Sequence, residues 1–185
     1  LDHDPARRGE GRGLGEPFSV DVLRRLRGAG LVSAQPATNH LRNFMASPTA
    51  GLDPDEIVDV RPFVQALDAY VEAHPELGAL PMKFSIGLDG GERASIAAQP
   101  NDVLFRAYRA GNGAPRFRVL VRAGVGDTQV DLGPALSPEQ VVPFATAIAQ
   151  AYREAMPSDG SRPHLHQLLL SDADLDAFHT SLLAR

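Results

Sequence analysis

The chain contains no cysteine and no tryptophan in 185 residues. Without cysteine it can form no disulfide and offer no thiolate to a metal or cluster. No apolar run approaches the roughly 18 residues a membrane-spanning helix needs, and no signal-peptide pattern is visible. Positive charge is also scarce: the formal net charge is −5, which argues against a general nucleic-acid binder. Lysine is scarcest of the basic residues, with Lys83 alone against 17 arginines. Together with abundant Ala, Gly and Pro, that imbalance fits genomic composition. It nevertheless leaves one ammonium in the stretch "GALPMKFSIGLDGG", Gly78 to Gly91.

What is present is ordinary for a globular protein, with 43% hydrophobic and 22% charged residues. The length suits one domain, or one and a fraction. Residues 1–17 are rich in Gly, Arg and Pro and read as a flexible tail or linker. Their "GEGRGLG" has no strand before it, so it is a poor phosphate loop. Ser19 can cap a short helix carrying Val22, Leu23 and Leu26, which "GAG" stops, and "LVSAQ" reads as a brief strand. A long loop with small polar residues follows. Asp53 and Glu56 have the spacing of a capping box opening a helical turn. After Arg61-Pro62, the residues Phe63, Val64, Leu67, Tyr70 and Val71 share one helical face.

Three strands are expected in "MKFSIGLD", "DVLFRAYR" and "RFRVLVRA". The intervening "DGGERAS" and "AGNGAP" look like hairpin turns. Ser137 and Gln140 form a capping box for a helix in which Pro143 should cause a bend or a delayed start. Leu175, Phe178, Leu182 and Leu183 stripe a final helix from about Asp172. The resulting class is α+β, with helices packed on a mostly antiparallel sheet.

Several residues suggest chemistry. If "MKFSIGLD" is a strand throughout, Lys83 and Ser85 point to one face, opposite Phe84, Ile86 and Leu88. That face is a solvated surface or a place where an ammonium and a hydroxyl meet a ligand. Arg42 lies between Leu41 and Phe44, beside Asn43, and a guanidinium among apolar residues suits a buried anion. Arg118 and Arg122 share a strand face. His164 and His166 could bind a metal but have no third ligand in view, and His40 could donate a proton. Asp53, Asp55 and Glu56 are better explained by helix capping than by a metal.

The run "NHLRNFMASPTAGLDPDEIVDVRPFVQAL" resembles the signature of the sirohaem-dependent nitrite and sulfite reductase superfamily. "LPMKFSIGLDGG" is similar to its lysine-bearing strand. "QPNDVLF", "FRVLVRAG", "LSPEQV" and "SRPHLHQLLLSDADLDAFHTSLL" follow in the family's order. The resemblance covers about Phe18 to Leu183. It implies residues 18–35 as the end of a ferredoxin-like half-domain and 36–185 as a sirohaem-binding-type domain. It also implies a cytoplasmic oxidoreductase that reduces nitrite or sulfite with electrons from a ferredoxin-like or flavoprotein donor. Sirohaem and a 4Fe-4S cluster are its cofactors. By the same resemblance, Arg42 and Lys83 bind the substrate anion, while Asn43, Ser85, Asn101 and Arg122 are candidates at the cofactor.

Departures are informative. Ser85 stands where sulfite reductases place a second lysine, and Met82 where an arginine is common. "DGG" is similar to precorrin-3B synthase, a cobalamin-pathway relative, so a monooxygenase of that type is the alternative, as is a non-catalytic module that binds a tetrapyrrole or an anion. The cluster's cysteines are absent from this chain, so it is not catalytically complete alone.

Overall fold

The computed structural model describes residues 20–31, 44–124 and 128–183. The chain divides into two compact units, Leu1–Ala34 and Gln35–Arg185. In the first, helix α1 spans Val20–Gly28. Glycine ends it, as expected. Gly30 takes a φ of +70°. Its N–H donates to the Arg27 carbonyl and that of Leu31 to the Leu26 carbonyl, the bond pair of a Schellman motif. Ser19 and all of "LVSAQ" beyond Leu31 lie outside the described residues.

The second unit is built on a five-stranded sheet in the order β1-β2-β3-β4-β5. The strands are β1 Phe44–Ala46, β2 Ile86–Asp89, β3 Val103–Arg109, β4 Pro115–Ala123 and β5 Thr128–Asp131. The helices are α2 Arg61–Ala73, α3 Pro138–Glu154, the single turn α4 Leu165–Leu168 and α5 Asp172–Leu183. The sheet is mixed, which corrects the mostly antiparallel expectation. β1 pairs parallel with β2 and β2 parallel with β3, whereas β3–β4 and β4–β5 are antiparallel. The reason lies in the connections. The chain passes from β1 to β2 through α2, a crossover that restores strand direction. Residues 90–102, which open with "GGERAS", are no hairpin; they carry the chain back to the starting end of the sheet. "AGNGAP" is the hairpin expected, closed by Ala110 N–H on the Ala114 carbonyl at 2.9 Å.

Alternate strand residues fill one core. Ile86 and Leu88, Val103 and Phe105, and Phe117, Val119 and Val121 cluster with Leu67 and Val71 of α2 and Val141, Ala145, Ile148 and Tyr152 of α3. Phe63, Val64 and Tyr70 pack against it from α2, so that helix presents the face its periodicity predicts. The other sheet face carries Gly87 and Asp89, Leu104, Arg106 and Tyr108, and Arg118, Leu120 and Arg122.

Two local expectations change and one is narrowed. Residues 53–56 form a turn, not a helix; the Asp53 carboxylate accepts from Asp55 N–H at 2.9 Å and from Arg93 N–H at 2.8 Å. Pro143 sits inside α3 without delaying its start at Pro138, where Ser137 N–H donates to Gln140 Oε1 at 2.9 Å. Lys83 is not in a strand, because β2 begins only at Ile86.

Candidate functional site

The chain leaves a 3-10 helix, Pro75–Ala79, and must turn before it can enter β2. Phe84 N–H donates to the Pro81 carbonyl at 3.4 Å. Lys83 is the third residue of this turn, where positive φ usually selects glycine. Its φ is +68°, and its side chain is exposed. Strand alternation therefore does not put Lys83 and Ser85 on one face. Both nonetheless sit at the end of the sheet where β2 and β3 start and β4 finishes.

Ser85 is buried and locked to Asp102. Asp102 Oδ2 accepts from both the Ser85 N–H and the Ser85 hydroxyl, each at 2.9 Å, and Ser85 Oγ accepts from Asp102 N–H at 3.1 Å. The hydroxyl's single proton is thus committed to the carboxylate. The Asp102 carbonyl in turn accepts from Arg122 N–H at 2.9 Å. Ser85, Asp102 and Arg122 consequently form one row across the starting end of the sheet.

Asn101 joins this row. It is 1% exposed, its Nδ2 donates to the Gln99 carbonyl at 3.3 Å, and its buried Oδ1 has no partner. A buried carbonyl oxygen left unpaired is costly, so it marks a place that a ligand or water donor would complete. Asn101 lies on Gly87, where the absence of a side chain makes room for it. The structure therefore brings Ser85, Asn101 and Arg122 together and places the Lys83 turn at the same sheet end. Arg42, Asn43 and His40 lie outside the described residues. In sequence, Arg42 and Asn43 run directly into Phe44, whose register partner is Ile86.

A second polar cluster lies toward the opposite end of that face, where Asp89, Glu92, Ser95, Arg106, Tyr108 and Arg118 line a cleft of about 460 Å³. Arg118 stacks on Tyr108, with its guanidinium carbon 5.3 Å from the ring centre. Asp89 accepts from the Ser95 hydroxyl and from Gly91 N–H. Glu92 is buried, with one oxygen accepting from Gly90 N–H at 2.9 Å and the other unpaired. Burial pushes its carboxyl above the ordinary range, helped by the nearby Asp89 and Glu56 charges and opposed by backbone hydrogen bonds. His164 and His166 stack on each other with ring centres 5.8 Å apart. Among the described residues no three His, Asp or Glu side chains come together to hold a metal.

Sequence reasoning missed Asp102, Asp89 and Glu92. Asp102 had a local signal, a carboxylate immediately before an apolar strand. Asp89 and Glu92 were hidden in a "DGGE" that read as a turn.

The sequence and the mixed sheet with its packed helices match a described class. Residues 37–171 match the family model "Nitrite and sulphite reductase 4Fe-4S domain", and the chain belongs to that family. Among its relatives are ferredoxin–nitrite reductases of Leptolyngbya laminosa, 35% identical over 77% of this chain, and of Synechococcus elongatus, 35% identical over 82%. The chloroplastic ferredoxin–nitrite reductase of Zea mays is 28% identical over 94%. The chain spans 29%, 30% and 32% of those three proteins. The solved structure of the Mycobacterium tuberculosis NirA protein has the same fold, with a TM-score of 0.61 at 20% identity over 77% of this chain and 27% of that one. No helix among the described residues is long and apolar enough to cross a membrane.

Proposed function

We propose that this chain is the substrate-side domain of a ferredoxin-dependent nitrite reductase, with residues 36–185 as the sirohaem-binding-type domain and Arg42 and Lys83 as the groups that meet the anion. The observation that carries this reading is Lys83 itself, an exposed ammonium on a glycine-like turn. It stands at the sheet end that also holds Arg122 and the unpaired Asn101 oxygen.

The chain's residues fit one of the family's cofactors and not the other. A sirohaem is rimmed with carboxylates and suits a cationic and amide surround, for which Asn43, Asn101 and Arg122 are the candidates. The Ser85 hydroxyl and N–H are both engaged by Asp102, so Ser85 would contribute by its fixed position. The 4Fe-4S cluster needs thiolates, and this chain has no cysteine, so it does not ligate the cluster. When bound, sirohaem supplies electrons to the anion. This chain's contribution is to attract and orient that anion, stabilise the charge that develops as its bonds to oxygen break, and hold a proton at Lys83 Nζ.

Ser85 favours nitrite over sulfite. A second cation would balance a sulfite dianion, whereas nitrite carries a single negative charge. The names of the relatives point the same way. The test is steady-state turnover of the sirohaem-loaded enzyme carrying this domain, driven by reduced ferredoxin. Nitrite reduction well above sulfite reduction is expected; a loaded enzyme that does not turn over nitrite overturns the reading.

A further inference from the structure

Lys83 is the single non-glycine residue with positive φ among the described residues. That conformation disfavours an L-residue with a Cβ, and no hydrogen bond or ion pair of the exposed side chain with the described residues offsets it. Neighbouring residues must therefore impose it. Before the turn, Leu80 and Pro81 are buried. After it, Phe84 is buried with its ring set edge-on to Tyr152 of α3 at 5.1 Å. The next residue is Ser85, tied by three hydrogen bonds to Asp102. Asp102 is also anchored through its carbonyl to Arg122 at the end of β4. A single carboxylate oxygen thus fixes the backbone two residues beyond the ammonium.

We infer that Asp102 is a positioning residue for Lys83: it holds the Pro81–Phe84 turn in the positive-φ form that aims the ammonium at the substrate anion. This rests on the substrate role proposed for Lys83. The carboxylate touches neither substrate nor cofactor in this account. It acts through Ser85, and its loss would leave the lysine present but no longer held.

The test uses the sirohaem-loaded enzyme carrying this domain, with Asp102→Ala, Asp102→Asn and Lys83→Met. Two quantities are read: the nitrite Kd by spectral titration, and hydrogen exchange of the backbone over residues 80–89 without nitrite. Asp102→Ala should weaken nitrite about tenfold or more and speed exchange in that segment at unchanged sirohaem content. Asp102→Asn, which keeps an oxygen to accept from Ser85, should recover most of both. If Asp102→Ala does not fold, Ser85→Ala removes two of the three bonds and should move both readouts the same way. Wild-type affinity and exchange in Asp102→Ala, while Lys83→Met loses nitrite, overturns the inference and leaves the role of Lys83 intact. Unchanged affinity in Lys83→Met overturns that role and the inference with it.

Discussion

Asn101 rests on Gly87 so closely that a Cβ built at residue 87 would stand 2.7 Å from its Nδ2 and 3.0 Å from Leu104 Cδ1. Real Cβ atoms do not come within 3.0 Å, and only the Asn101 amide lies nearer than that, so Asn101 is the group that must shift. Gly87→Ala should destabilise the domain by about 1–3 kcal/mol. In the intact enzyme it should also lower sirohaem content, because the displaced amide is a candidate cofactor contact. Denaturant unfolding and the haem absorbance per protein check the two effects.

Glu92 predicts a pH dependence. Its carboxyl is raised above the ordinary 4.5 by burial. For an acid shifted this way the folded state prefers the neutral form. Its stabilising contribution is full below the unfolded value and is lost as pH rises through the folded one. Glu92→Gln keeps an oxygen for Gly90 N–H and removes the ionisation. Thermal melting of the wild-type domain should therefore fall more steeply with pH, from about pH 4.5 upward, than melting of the variant. Parallel profiles would show that Glu92 titrates alike in the folded and unfolded states, and would contradict the shift.

Tyr152 anchors the wall behind Phe84. Its hydroxyl donates to the Pro163 carbonyl at 2.7 Å, and burial pushes its phenol well above the ordinary range. Tyr152→Phe should cost about 1 kcal/mol, the net worth of one hydrogen bond. Tyr152→Ala should cost about 3–5 kcal/mol, because the ring is 1% exposed and supports the residue after Lys83. Urea unfolding of the two variants separates hydrogen bond from packing.

How much of this was legible beforehand follows from where the signal sits. α2 and α3 could be read because their apolar spacing matches a helix that buries one side, and the Ser137–Gln140 box marked the start of α3. β3 and β4 could be read because Val103 and Phe105, and Phe117, Val119 and Val121, alternate into a core. β1 has three residues, and β5 exposes Thr128, Gln129 and Asp131, so neither carries an apolar rhythm. The parallel pairing of β2 with β3 depends on the path of residues 90–102, which composition alone describes as a turn. The site divides in the same way. Ser85, Asn101 and Arg122 lie at one end of the sheet, but Lys83 was assigned to a strand because its neighbours alternate, and only the Pro81–Phe84 bond shows the turn. Asp102 went unnoticed because its role is a contact with Ser85, 17 residues away in sequence.

The central claim is that Lys83 serves the substrate anion and not the fold. It is tested most directly by Lys83→Met in the enzyme carrying this domain, comparing nitrite kcat/KM with sirohaem content. The account predicts a fall of about a hundredfold or more in kcat/KM, the scale seen when one preorganised electrostatic donor is removed, with sirohaem retained near the wild-type level. Full turnover from a fully loaded Lys83→Met enzyme would contradict it.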